Sequence, residues 1–222
     1  MTPVRYPAPS GEEWALAFDH ARPARVLVIS ALFEEANRMR RLAVEVMRRL
    51  DQAGIDSFLP DLPGCGESLQ PLEHQTPASW RAAADGASRH FGATHVLALR
   101  GGCLLAPPAL PGWLHAPASG ASLLRQMLRS RMVASREAGR EESQEGLLPQ
   151  ARTEGGLELA GYRLSAGFLG EFATLELPKS PQHIPIAQGD LGGSGLWLRA
   201  EPDFDAAQAD ALAAIVTAQV AA

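Results

Sequence analysis

The sequence predicts an α/β fold, a mostly parallel sheet covered on both faces by helices, and three features predict it. A compact β-branched run at 24–31, ARVLVISA, leads straight into an amphipathic stretch at 34–53. A second apolar run, His95 to Leu99, follows another stretch of helical period. The chain then closes on an alanine-rich helix at 205–220. Strands that alternate with helices pair in parallel, because each crossover helix returns the chain to the same end of the sheet.

Each element has its own local reason. In 34–53, Met39, Leu42, Val46, Met47 and Leu50 fall on one face at helical spacing, and Gly54 is placed to stop the helix. Ser57-Phe58-Leu59 reads as a short strand that ends at Pro60-Asp61 and opens into a glycine-rich loop. A helix over 78–90 starts near Pro77, and 95–99 is the next strand. Pro107, Pro108 and Pro111 forbid a long helix after residue 102, and GWLHA at 112–116 reads as another short strand. Residues 119–138 form a basic amphipathic helix, while 139–155 carry no apolar period and are expected to be a mobile linker or cap loop. The stretch 157–177 fits neither period. HIPIAQ at 183–188 and GLWLRAE at 195–201 each read as a short strand. The organisation expected is one domain over 1–222, with 119–175 as a cap-like insertion and no internal repeat.

Composition narrows the function. The chain has 222 residues, 46% hydrophobic and 20% charged, enough to bury a substantial core. Twenty basic residues stand against 25 acidic ones, and a formal net charge of −5 argues against a nucleic-acid partner. The N-terminus lacks the basic start and apolar run of a secretory signal, and the apolar run at 211–222 is too short to span a bilayer, so a cytoplasmic location is expected. The two cysteines, Cys65 and Cys103, show no metal-ligand spacing; free thiols and no metal or other cofactor are expected.

The most specific string is LPDLPGCGES at 59–68, where an apolar strand ends in Asp61 and turns through Gly64 and Gly66 to Ser68. It resembles the D-x-x-G-x-G-x-S ending of strand four in α/β-hydrolases. In that fold the next strand runs into a nucleophile elbow, small-x-nucleophile-x-small. Here Ala98 and Gly102 occupy the small positions, and the nucleophile position is Arg100. A guanidinium stays protonated and has no lone pair to attack a carbonyl, so serine-hydrolase chemistry through this elbow is excluded. Cys103, Ser68 and His115 remain as weak catalytic candidates. Cys103 lies about one helical turn beyond the elbow, Ser68 follows two glycines and is placed to cap its loop, and His115 ends the GWLHA strand near the rim where α/β ligands bind. The triad order would put a histidine after the last strand, yet none follows His183.

Several stretches resemble a narrower family, the second type of exosortase A system-associated hydrolase. LFEEANRMRR at 32–41 resembles its F-A-E-E-M-N-K-S-R-R, matching at Glu34, Glu35, Asn37, Arg40 and Arg41. Asp61 to Ser68 resembles D-L-x-G-C-G-D-S, and Arg100 to Ala106 resembles G-L-R-L-G-A-L-L-A, in which the family also carries arginine at the elbow. Ser119 to Arg131 resembles S-G-x-x-x-L-x-Q-F-L-R-x-R, and Leu159 to Ser165 resembles V-A-G-Y-E-L-S. The resemblance implies a three-layer α/β-hydrolase-like sandwich, shortened after the elbow, and a role beside exopolysaccharide and protein-sorting genes.

Two readings of Arg100 follow. At a helix N-terminus it suits a carboxylate, phosphate or sulfate, with Glu34, Glu35, Asn37 and His115 as further ligand-binding candidates. Alternatively, Glu34 or Glu35, which follow the neighbouring strand, neutralise it in an internal salt bridge. The function expected is a pseudoenzyme that binds an anionic small molecule or an exosortase-system or exopolysaccharide-system protein. The alternative is an active ester or thioester hydrolase with a non-standard nucleophile.

Overall fold

The computed structural model describes residues 1–220; the last two residues of the apolar run 211–222 lie outside them. A seven-stranded sheet forms the middle layer, in the order β1-β2-β4-β3-β5-β6-β9. β1 (Thr2–Ala8) and β2 (Gly11–Phe18) form an antiparallel hairpin, and β2 pairs antiparallel with β4 (Asp56–Pro60). From there β4, β3 (Arg25–Ile29), β5 (His95–Leu99), β6 (Gly112–His115) and β9 (His183–Ile186) are all parallel. The C-terminal ends of these five strands therefore share one rim, where ligands of open α/β sheets bind.

Alternation along the strands divides the core in two. Val26, Val28, Leu59, Leu97, Leu99 and Trp113 face α1 (Glu34–Gln52) and α7 (Ala206–Val220). Leu27, Ile29, Phe58, Val96 and Ala98 face the opposite way, onto α2 (Pro77–His90) and α3 (Gly120–Glu137). The expected apolar stripe of α1, Met39, Leu42, Val46, Met47 and Leu50, is buried as a set. Thr76 and Ser79 close a reciprocal capping box at the start of α2, with Pro77 in its first turn.

Residues 119–175 fold into more structure than the sequence reading assigns. The expected linker contains α4 (Gln144–Thr153), capped by Ser143 and anchored by buried Leu147 and Ala151. The helix also contains Gly146 and Pro149, both poor helix formers, which is why its sequence reads as loop. The ambiguous stretch resolves into an antiparallel hairpin, β7 (Gly156–Leu159) and β8 (Tyr162–Ser165), followed by α5 (Ala166–Ala173). Phe168 and Phe172 of α5 join Phe33 and Trp80 in an aromatic cluster beneath it.

Two further corrections concern the ends. The hairpin of β1 and β2 precedes the first strand that the sequence reading assigns. The expected strand at 195–201 is instead a single 3-10 turn, Leu196–Leu198, after the four-residue helix α6 (Gln188–Leu191). It has no ladder partner; the backbone is held by Arg38, which donates to the Trp197 carbonyl at 3.3 Å. No helix among the described residues is long and apolar enough to cross a membrane.

Candidate functional site

The turn after β5 is sharp, but the helix N-terminus expected at Arg100 is a six-residue 3-10 turn. Arg100 adopts a left-handed backbone, φ 52°, and the chain then tightens into a 3-10 turn through Leu105. A non-glycine residue in that region costs on the order of 1–2 kcal/mol and persists only where its surroundings hold it. Gly102 shows what does so: a Cβ there would collide with the carbonyl oxygen of Ser30 at the end of β3, so the two loops touch backbone to backbone.

The side chain presented by this turn is held on three sides. Arg100 donates from Nε and Nη2 to the two oxygens of Glu35, at 3.0 and 3.1 Å, and from Nη1 to the Ala116 carbonyl at 2.7 Å. The Trp197 ring covers the guanidinium at 4.1 Å. Glu35 is 2% exposed and Arg100 15%, so both charges lie largely out of water. The first turn of α1 places Glu35 there, where the helix dipole also favours a carboxylate.

His115 stands on the adjacent strand, paired with Leu99, and its ring meets Trp197 edge-on at 5.9 Å. It is 0% exposed, and neither ring nitrogen has a hydrogen-bond partner among the described residues. Burial, aided by the nearby Arg100 charge, lowers its pKa to about 4 and keeps the imidazole neutral. Cys103 is buried below it. Its thiol donates to the Ala98 carbonyl at 3.3 Å, and burial pushes its pKa well up, which disfavours a thiolate.

The remaining sequence candidates lie apart from this cluster. Ser68 donates to Glu13 at 2.9 Å and accepts the Gly64 and Gln70 amides, so its hydroxyl closes its own loop. That loop leaves β4, which β3 and β5 separate from β6 in the sheet. Glu34 lies 4.0 Å from Arg38, and Asn37 lines a separate cleft with Arg40 and Asp61. Of the three motif residues beside Arg100 in the sequence reading, only Glu35 touches it. Trp197 is the contact that the sequence reading missed: an apolar triplet between Gly195 and Arg199 carries no sign that its middle residue folds back onto a distant cation.

Beside the elbow runs an open crevice of about 690 Å³, lined by Arg100, Ser119, Ser122, Arg125 and Glu176. Arg125 has no ion-pair partner among the described residues. Ser119 caps α3 by accepting the Ser122 amide at 3.2 Å.

The architecture has close counterparts among solved structures. Alpha/beta hydrolase domain-containing protein 10 from mouse superposes with a TM-score of 0.62 at 12% identity, covering 100% of this chain and 99% of that one. The chain has an α/β-hydrolase-like fold. Alpha/beta hydrolase GrgF from Penicillium sp. sh18 matches with a TM-score of 0.54 at 14% identity, over 84% of this chain and 79% of its own. Est1E from Butyrivibrio proteoclasticus, solved with ferulic acid, matches at 0.51 and 16%, over 78% and 71%. No protein-family model and no curated protein matches the chain in sequence. In this α/β-hydrolase-like frame, Arg100 stands on the turn that follows β5, at the carboxyl rim of the sheet.

Proposed function

We propose that this chain is a catalytically silent α/β-hydrolase-like protein that binds an anionic ligand, or a partner presenting one, in the exosortase and exopolysaccharide system. The observation that carries the reading is Arg100: the strained elbow turn displays a guanidinium locked to Glu35 and covered by Trp197. Such a group supplies no electron pair to an acyl carbon. The two cysteines and Ser68 do not replace it, since both thiols have raised pKa values and the serine hydroxyl is committed to Glu13. The system assignment rests on the five ordered motif resemblances in the sequence.

On this reading the anion sits in the crevice beside the elbow. Arg125 offers an unpaired guanidinium, and Ser122 a hydroxyl, on the first turns of α3. Arg100 makes three of the five hydrogen bonds that a guanidinium can donate, leaving two N–H groups for a ligand oxygen. Glu35 already neutralises Arg100, so the attraction for an anion comes chiefly from Arg125 and the α3 N-terminus.

Intact-mass measurement after incubation with a fluorophosphonate and, separately, with a thiol-reactive acyl ester tests the reading. No adduct that depends on the native fold is expected. An adduct on a single serine or cysteine, formed only by folded protein, would establish an activated nucleophile and replace this reading with that of an ester or thioester hydrolase.

A further inference from the structure

A second recess shares no lining residue with the crevice beside the elbow. It is a cleft of about 330 Å³ between the loop leaving β3 and the loop leaving β4, with Tyr162 of the β7–β8 hairpin across it. Small-molecule pockets occupy roughly 300–1,000 Å³, so this one has room for a single small ring system.

Its wall contains a carboxylate whose hydrogen bonding is incomplete. Asp61 Oδ2 accepts the Glu67 amide at 3.2 Å, whereas Oδ1 lies 3.6 Å from Arg40 and receives no hydrogen bond among the described residues. The side chain is only 11% exposed, and burial raises its pKa. The loop is shaped around this group: Gly66 sits at φ 58°, and a Cβ there would collide with Oδ1. The ion pair with Arg40 leaves Oδ1 short of a hydrogen bond, and a donor that enters the cleft can supply one.

The neighbouring groups define that ligand. Asn37 supplies both a donor and an acceptor, and Arg40 supplies further donors. Arg40 already stands against the carboxylate, which disfavours a cationic guest; Asp61 and Glu67 together disfavour an anionic one. What remains is a neutral molecule with groups that donate and accept at adjacent positions. Tyr162 adds a flat apolar face, fixed by the edge-on Phe33 ring at 5.3 Å. Phe33 is itself held at φ 55° and ψ −134°, strain of the kind that collects at binding loops.

We infer that this cleft binds a neutral sugar ring, with vicinal hydroxyls bridging Asp61 and Arg40, a third hydroxyl on Asn37, and the C–H face of the ring against Tyr162. The inference uses nothing at the elbow and is independent of the reading of Arg100.

Saturation-transfer NMR on the whole chain, with glucose, galactose, mannose and N-acetylglucosamine as separate probes, tests it. At least one sugar is expected to receive saturation. The exposed rim substitution Asn37→Ala and the substitution Tyr162→Leu are each expected to weaken that sugar about tenfold, the effect of losing one ligand contact worth about 1.4 kcal/mol. Arg125→Ala is expected to leave it unchanged. Absence of transfer to every probe would overturn the inference. So would transfer that survives both cleft substitutions, or transfer that is lost only with Arg125, which would place the sugar in the crevice beside the elbow.

Discussion

Arg100 and Glu35 form a charge pair at the turn that follows β5, at the carboxyl rim of the sheet. Each guanidinium bond to Glu35 is charge-assisted and paired, and the acid is almost wholly buried. Removing one partner leaves a charge in a medium that cannot solvate it. Arg100→Ser is therefore expected to lower unfolding stability by roughly 3–5 kcal/mol in urea titration, without creating esterase activity. Replacing both partners with leucine, Arg100→Leu with Glu35→Leu, should recover most of that loss, because an apolar pair of similar volume needs no solvation. Recovery of none of it would show that Trp197 stacking, and not the ion pair, dominates the site. The sequence displays the arginine and two candidate acids, but it does not say which acid points inward. The first turn of α1 decides that: Glu35 lies on the buried side of the helix, beside the Met39 stripe, and Glu34 on the outer side, facing Arg38.

At the scale of elements, strands with clean period and helices with a full stripe were legible, and short pieces held by one or two anchors were not. β3, β5 and α1 announce themselves through continuous apolar runs and heptad-like spacing. β2 does not, because its inward positions include Glu13, a buried acid whose Oε1 accepts the Ser68 hydroxyl while Oε2 has no partner among the described residues. An acid on a core-facing position interrupts the alternation on which strand recognition depends. In the 119–175 segment, α3 is tied to the loop before α4 by Arg131, which donates to both oxygens of Glu142, and by Ser135, which donates to the same carboxylate. These contacts, with Arg131 and its serine partner, hold the Glu142 carboxyl down at about 2. A depressed acid contributes stability above its ordinary range and loses it as the pH falls from about 4.5 through 2. Glu142→Gln removes the same contribution at neutral pH. Trypsin cleavage after exposed Arg140 is then expected to accelerate about tenfold, the ratio that about 1.4 kcal/mol of local stability produces. An unchanged cleavage rate would show that Leu147 and Ala151 alone anchor the segment.

For the whole molecule, the sheet has a core on each face, and the overall α/β class follows from the order of strand and helix signals alone. The site is less legible, since Glu35, Trp197 and the stretch from Arg100 to His115 come from three distant parts of the chain and only folding brings them together. His115 also links the site to global stability. Its folded-state pKa lies near 4 against an ordinary 6.5, so the unfolded chain takes up the proton first. Stability is then complete above pH 6.5 and is lost as the pH falls through 4, by about 3 kcal/mol for this one imidazole. His115→Phe should flatten the melting temperature between pH 7 and 4 relative to the parent chain. An identical acid slope in both proteins would assign the loss to carboxylates instead.

The backbone at Arg100 separates presentation from reactivity. A turn that holds a side chain at the mouth of the sheet survives here around a residue with no nucleophilic atom, because Gly102 locks it against Ser30. For a protein engineer the mount is thus already in place. What a grafted serine would lack is a proton acceptor, since the imidazole one strand away lies sealed under Trp197 with both nitrogens buried. The distance from this scaffold to a catalyst is counted in partners for the new hydroxyl, not in changes to the loop that would carry it.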